Sequence, residues 1–205
     1  MRALVAERLA GRGAERIMTA SPRAEAPTTP VEAMVPAAVL VPLIDRRAGM
    51  TVLLTQRTEH LNDHAGQISF PGGRAEDRDA DPIDTALRET EEEIGLTRDR
   101  IEVVGCLDTC VTGTGFKVVP VVGLVTPPFT LTLDSFEVAD AFEVPLDFVL
   151  DPANHERREA AFDGVGRREF YVLPYRNRYI WGATARILVN LQEVLSETDS
   201  KEQPS

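Results

Sequence analysis

The segment from Pro82 to Ile94 constrains this chain most, because both of its ends are marked as helix ends. Asp81 is a good N-cap, Pro82 suits the first helical position, and Asp84 complements the positive end of the helix dipole. Gly95 stands where a left-handed C-terminal glycine is expected, with Leu96 beyond it for the closing apolar contact. At about 100° per residue, Ile83, Ala86, Leu87, Thr90 and Ile94 fall in one apolar stripe, the predicted core face. Glu89, Glu92 and Glu93 are related by three- and four-residue steps and share the neighbouring flank, whereas Glu91 points away and reads as solvated.

Gathering carboxylates there is unfavourable. Like charges four apart repel by a few tenths of a kcal/mol, and the negative end of the dipole costs an anion roughly 0.3–1 kcal/mol. Something positive should offset this. Arg88 is one partner, and a divalent cation is the other, since magnesium accepts one or two carboxylates together with substrate phosphates. The plain alternative is a solvated acidic face.

Around this helix the pattern alternates between strands and helices. Ala37–Ile44 and Thr51–Arg57 are β-branched, apolar runs flanking a turn-like stretch, and so predict a hairpin. A polar loop follows and ends in Phe70-Pro71-Gly72-Gly73, where two glycines leave the backbone open to a metal or phosphate. Further strands are expected at Ile101–Leu107, Lys117–Val125, Thr130–Leu133, Ala160–Phe162 and Glu169–Leu173. Helices are expected at Pro145–Leu150 and from Trp181 to Leu195. This mixture predicts an α+β fold, an α/β/α sandwich around a mixed sheet. Residues 2–17 have helical spacing and with the Pro- and Thr-rich stretch to Pro36 read as an N-terminal arm and connector, residues 1–36. Residues 37–195 are the domain, and 196–205 a polar tail.

Composition excludes several functions. A net charge of −11 over 205 residues, with 22 Lys+Arg against 33 Asp+Glu, repels both nucleic-acid backbones and anionic membranes. The first twenty residues lack the apolar core of a signal peptide, and no stretch is long and apolar enough to span a bilayer. A cytoplasmic location is expected. Cys106 and Cys110 lack partners for a disulfide scaffold or zinc knuckle and read as reduced thiols. His60, His64 and His155 lack ligand spacing and read as surface or loop residues, while Phe116 and Trp181 read as core or pocket wall.

The run Arg88-Glu89-Thr90-Glu91-Glu92-Glu93-Ile94-Gly95-Leu96 resembles the core of the Nudix box, Arg-Glu-(apolar)-x-Glu-Glu-x-Gly-(apolar). Two features depart from the general pattern. Ala80, with Asp79 beside it, stands where a Glu is usual, and Gly73 lies fifteen residues before Arg88. That longer spacing resembles the coenzyme A pyrophosphatase-like branch, as does the upstream Leu53-Leu54-Thr55-Gln56-Arg57 with its later Phe70-Pro71-Gly72-Gly73. Within that stretch Thr58 replaces the usual Ser or Ala, and Asn62 replaces an Arg that could read a substrate phosphate. The likeness covers residues 37–192.

The resemblance implies an enzyme that hydrolyses a nucleoside diphosphate linked to another group, using Mg²⁺ or Mn²⁺. It makes Glu89 and Glu93 the leading metal ligands, with Glu92 a third and the Gly73 carbonyl a further one. Arg88 would orient the carboxylates, and Glu137 would act as general base or extra ligand, with Glu89 the alternative base. Gly72, Gly73, Arg57 and Lys117 are the substrate-binding candidates; Lys117 equally reads as an exposed strand-edge residue. The branch implies coenzyme A or its derivatives as substrate, giving 3′,5′-ADP and 4′-phosphopantetheine. The alternatives are another nucleoside diphosphate derivative, such as ADP-ribose or a dinucleotide, or a catalytically silent binding module. The presence of Glu89, Glu92 and Glu93 argues against the last. The expected partner is a small nucleoside diphosphate, with no nucleic acid or membrane and with room for a homodimer.

Overall fold

In the computed structural model the described residues are 1–21, 30–60, 65–162 and 166–197. The chain opens with helix α1 (Arg2–Leu9) and strand β1 (Ile17–Thr19). β2 (Val35–Arg46) and β3 (Gly49–Arg57) form the expected hairpin, turning through Arg47 and Ala48. β4 (Ile68–Ser69) and β5 (Gly72–Arg74) precede α2 (Pro82–Ile94). Next come β6 (Ile101–Cys106), β7 (Thr109–Val111), β8 (Phe116–Val125) and β9 (Val138–Pro145). α3 (Leu146–Leu150), β10 (Glu156–Phe162), β11 (Gly166–Tyr175), β12 (Arg178–Trp181) and α4 (Gly182–Ser196) complete the chain.

The mixed sheet runs β1-β7-β8-β2-β3-β4, with β5 beside β2, β6 beside β8 and β9 beside β3. β2 and β8 pair in parallel at its centre, where both faces are covered and their sequences are near-continuous apolar runs. Alternation along β2 and β3 divides the core. Val41, Leu43, Val52 and Leu54 pack toward α4, while Ala38, Leu40, Ile44 and Leu53 pack on the face that carries Ala86 and Ile94 of α2. Helices therefore cover both faces of a mixed sheet, the α/β/α arrangement expected. The antiparallel β10-β11-β12 sheet adds Tyr171, Leu173 and Ile180 to the α4 side.

α2 begins and ends where its caps place it. Asp81 accepts a hydrogen bond from the Asp84 amide at 2.8 Å, and Gly95 adopts φ 68° while its amide donates to Glu91 at 3.0 Å.

Several expectations change. The N-terminal helix stops at Leu9 rather than running to residue 17, and residues 17–19 are a strand pairing in parallel with β7. Val5 and Leu9 are fully buried in the same core as α4, so residues 2–19 pack onto the domain instead of extending from it. Thr130–Leu133 is not a strand. Its backbone turns to the C-terminal end of α2, where Thr132 donates to the Ile94 carbonyl at 2.9 Å and Asp134 to that of Glu93 at 2.8 Å. These carbonyls lack helical partners, and the loop satisfies them. β7, β9 and β12 were not expected.

Candidate active site

The site grows from the meeting of β5 with α2. Gly72 adopts φ 149°, and a Cβ there would lie 2.4 Å from the Ala38 carbonyl oxygen, so only glycine lets β5 pair this closely with β2. A Cβ on Gly73 would fall 2.6 Å from the Glu89 carboxylate. The two glycines thus admit acidic side chains from α2 against bare backbone, and the Gly72 amide donates to Glu93 Oε2 at 3.2 Å.

The three clustered glutamates occupy different environments. Glu93 is buried at 5% exposure, Glu89 is half-buried, and Glu92 is exposed like Glu91. Burial pushes the Glu93 carboxyl up to about 8; the charges of Glu137 and Glu89 push the same way, against the Gly72 amide and Arg57. Burial also raises Glu89, although Arg88 opposes it. The charges of Arg57, at the end of β3, and Glu137, in the turn before β9, both bear on Glu93. Arg57 and Val138 are ladder partners, which brings the two segments together. Among the described residues the Arg57 Nε is buried without a hydrogen-bond partner.

One turn earlier lies a charge cluster centred on Arg88. Its guanidinium grips Asp79 with both Nε and Nη2, at 2.8 and 2.9 Å. Nη1 donates to Glu89 at 2.8 Å and Glu92 at 2.9 Å, and Nη2 also reaches the Arg74 carbonyl at 3.1 Å. Arg88 therefore does bridge the carboxylates, as expected of a planar fork. Its strongest partner is Asp79, which lies outside the helix and which the motif spacing marks only as the neighbour of Ala80. Asp79 also accepts from the Glu76 amide and the Thr85 hydroxyl, each at 2.9 Å. The Arg88 guanidinium, with these donors, holds the Asp79 carboxyl well below the usual carboxylate range.

Other residues are not brought together. Lys117 lines a separate cleft of about 230 Å³ with Asp79, Asp81, Pro82 and Thr85, at the N-terminal end of α2. Eleven residues of helix, about 16 Å of rise, separate Pro82 from Glu93. Asn62 and His64 fall outside the described residues. Glu92 is held outward, bonded to Arg78 at 3.2 Å as well as to Arg88. Consequently, among the described residues, no three acidic, His or Cys side chains close on one point. The donors still fit a hard divalent cation. Glu93 and Glu89 offer partly desolvated carboxylates beside the open backbone of Gly73, a two-carboxylate arrangement that leaves room for phosphate oxygens.

A family model described as the NUDIX domain matches residues 34–163, more than half of the chain. A Nudix hydrolase NudL of Yersinia enterocolitica, itself uncharacterized, is 41% identical over 157 residues, covering 77% of this chain and 80% of that one. Its counterpart in Yersinia pestis (strain Pestoides F) is 40% identical over 160 residues, covering 78% and 79%. The crystal structure of a MutT/nudix family protein from Enterococcus faecalis superposes with a TM-score of 0.49 at 20% identity, over 82% of this chain and 64% of that one. The chain belongs to the Nudix hydrolases, enzymes that act on nucleoside diphosphate derivatives and generally use divalent metal ions.

Proposed function

We propose that this enzyme hydrolyses the diphosphate bond of coenzyme A or its derivatives, releasing 3′,5′-ADP and 4′-phosphopantetheine, in the cytoplasm and with Mg²⁺ or Mn²⁺. The observation that carries this reading is the convergence of one sequence signature on one point. The run that ends in Arg57 and the Phe70-Pro71-Gly72-Gly73 segment, both resembling the coenzyme A branch, meet the buried Glu93 of α2. Glu89 and Glu93 would hold the cation with the Gly73 carbonyl, and Glu92 would lend charge from the rim. When bound, the ion neutralises charge building on the diphosphate and lowers the cost of forming a nucleophile from water. Arg57 takes a phosphate oxygen with its unpaired nitrogen. Arg88 fixes Glu89 so that its free oxygen faces the site. Glu137 removes the proton from the attacking water, with Glu89 the alternative base; the new P–O bond forms as the bridging P–O bond breaks.

A second reading, hydrolysis of ADP-ribose or a dinucleotide, draws on the cation count. Lys117 opens into a separate cleft, so Arg57 faces Glu93 without that second candidate to read a 3′-phosphate. The test is kcat/KM with Mg²⁺ and with Mn²⁺ for coenzyme A, 3′-dephospho-coenzyme A, ADP-ribose and nucleoside triphosphates, with products identified. The first reading expects coenzyme A to lead and its dephospho form to follow by a modest factor. A clear preference for ADP-ribose selects the second.

A further inference from the structure

Phe136 is the most exposed of the large apolar side chains among the described residues, at 64%. Its backbone is nevertheless tied down. The Phe136 carbonyl accepts from the Thr58 hydroxyl at 2.8 Å, its amide donates to Asp134 Oδ1 at 2.9 Å, and the adjoining Glu137 carbonyl accepts from the Thr58 amide at 3.0 Å. Asp134 is in turn bonded to the Glu93 carbonyl at 2.8 Å. A ring held in water by a fixed turn forgoes the burial its apolar area would gain. Among the described residues its one aromatic neighbour, His60, lies with ring centroids 5.0 Å apart and planes tilted by 59°, an open pair rather than a closed stack.

Position suggests what would cover these rings. Moving outward from the sheet, Arg57 and Val138 form one rung, Thr58 and Glu137 the next, and Phe136 stands one residue further. Phe136 thus stands on the turn that carries Glu137, two residues from the ladder partner of Arg57, on the side where a nucleotide whose phosphate meets Arg57 would carry its base. We propose that Phe136 and His60 form a stacking rim for the heterocyclic base of the substrate, whose diphosphate lies against Arg57 and the Glu93 end of α2. This rests on the proposed function for the diphosphate, and adds the subsite for the base. Because every base has a π-face, the rim gives affinity for nucleotides without selecting among bases.

The test is calorimetric binding of AMP and of inorganic phosphate to the full chain in Mg²⁺, beside turnover of the diphosphate panel. Phe136→Ala weakens AMP about tenfold and His60→Ala by a smaller factor, while phosphate affinity stays within about twofold; Phe136→Tyr keeps the parent's AMP affinity. An unaltered melting temperature shows that the exposed position tolerates the change. AMP binding insensitive to Phe136→Ala, or AMP and phosphate weakened equally, overturns the rim. If the parent still hydrolyses the panel in that case, the proposed function stands alone. A parent that cleaves none of the panel overturns both.

Discussion

Two parts of α2 a single turn apart treat charge in opposite ways. Around Arg88 every strong charge has a partner: the guanidinium spreads over Asp79, Glu89 and Glu92, and Asp79 is held well below its usual range. Around Glu93 the balance is left open. A buried carboxylate faces two other carboxylates, with one backbone amide and the partly unpaired Arg57 as its support, and its carboxyl rises to about 8. The first region is complete within the chain and acts by holding shape. The second leaves room for the cation and phosphate proposed to bind there. Substitutions in the two regions should therefore differ in kind.

The largest effect expected is on turnover. Glu93→Gln lowers kcat by at least about 10²-fold, because the lost charge belongs to the pair proposed to hold the metal. Glu91→Gln, on an exposed position of the same helix, leaves kcat nearly unchanged. Equal losses in steady-state assays of the two variants would erase the distinction between buried and exposed acids. In the Arg88 cluster the effect moves to stability. Asp79→Ala takes the carboxylate from Nε and Nη2 of a guanidinium whose side chain is only 9% exposed, leaving it Glu89, Glu92 and the Arg74 carbonyl, which costs roughly 2 kcal/mol. Thermal unfolding should shift down by about 4–8 °C. An unchanged melting temperature in Asp79→Ala would show that the pairing has no structural weight.

How much of this was legible in the sequence follows the same division between local and distant partners. α2 was readable to the residue because Asp81, Pro82 and Gly95 mark its ends locally. The first helix was overextended although Gly11 and Gly13 stand in its path; Leu9 is its last buried residue. β9 went unseen because acids and alanines interrupt its apolar alternation, and its pairing with β3 comes from ninety residues away in places. Glu89, Glu92 and Glu93 share a flank by spacing, but only the packing against β5 separates buried Glu93 from exposed Glu92. A clue was present: Glu93 is seven residues after Ala86, two helical turns, and so lies close to the core stripe. Asp79 had no such clue, since it lies outside the helix and joins Arg88 only when the preceding loop folds back.

A further effect separates the regions by pH. The Glu93 carboxyl rises from 4.5 to about 8 on folding, so the folded state favours its protonated form. Its contribution is fully present below pH 4.5 and is lost as the pH climbs through 8. Asp79 runs the other way: its lowered value adds stability at neutral pH that disappears as the pH falls below the ordinary carboxylate range. In chelator, urea unfolding should show the parent losing stability from pH 5 to 8 and Glu93→Gln losing less. Millimolar Mg²⁺ should restore the parent above pH 7 and leave Glu93→Gln unmoved. A parent and Glu93→Gln with parallel profiles would mean Glu93 carries no titrating strain.

The smallest effect belongs to Lys117, and it tests whether the open region ends where the geometry places it. Lys117 and Arg57 are both cations that the sequence offers to a substrate phosphate. The charge of Arg57 opposes the rise of the Glu93 carboxyl, while Lys117 lines the cleft beside Asp81 and Pro82 at the other end of α2. Arg57→Ala should raise KM for the preferred diphosphate about tenfold, the loss of one charge-assisted phosphate contact. Lys117→Ala should change KM and kcat by less than about twofold, because it lines a cleft at the N-terminal end of α2, apart from Glu93. Measured with coenzyme A and its 3′-dephospho form, the Lys117→Ala variant should keep the parent's ratio between the two. A ratio that collapses in Lys117→Ala would place the 3′-phosphate in the cleft at the start of α2, and would extend the substrate along the whole helix.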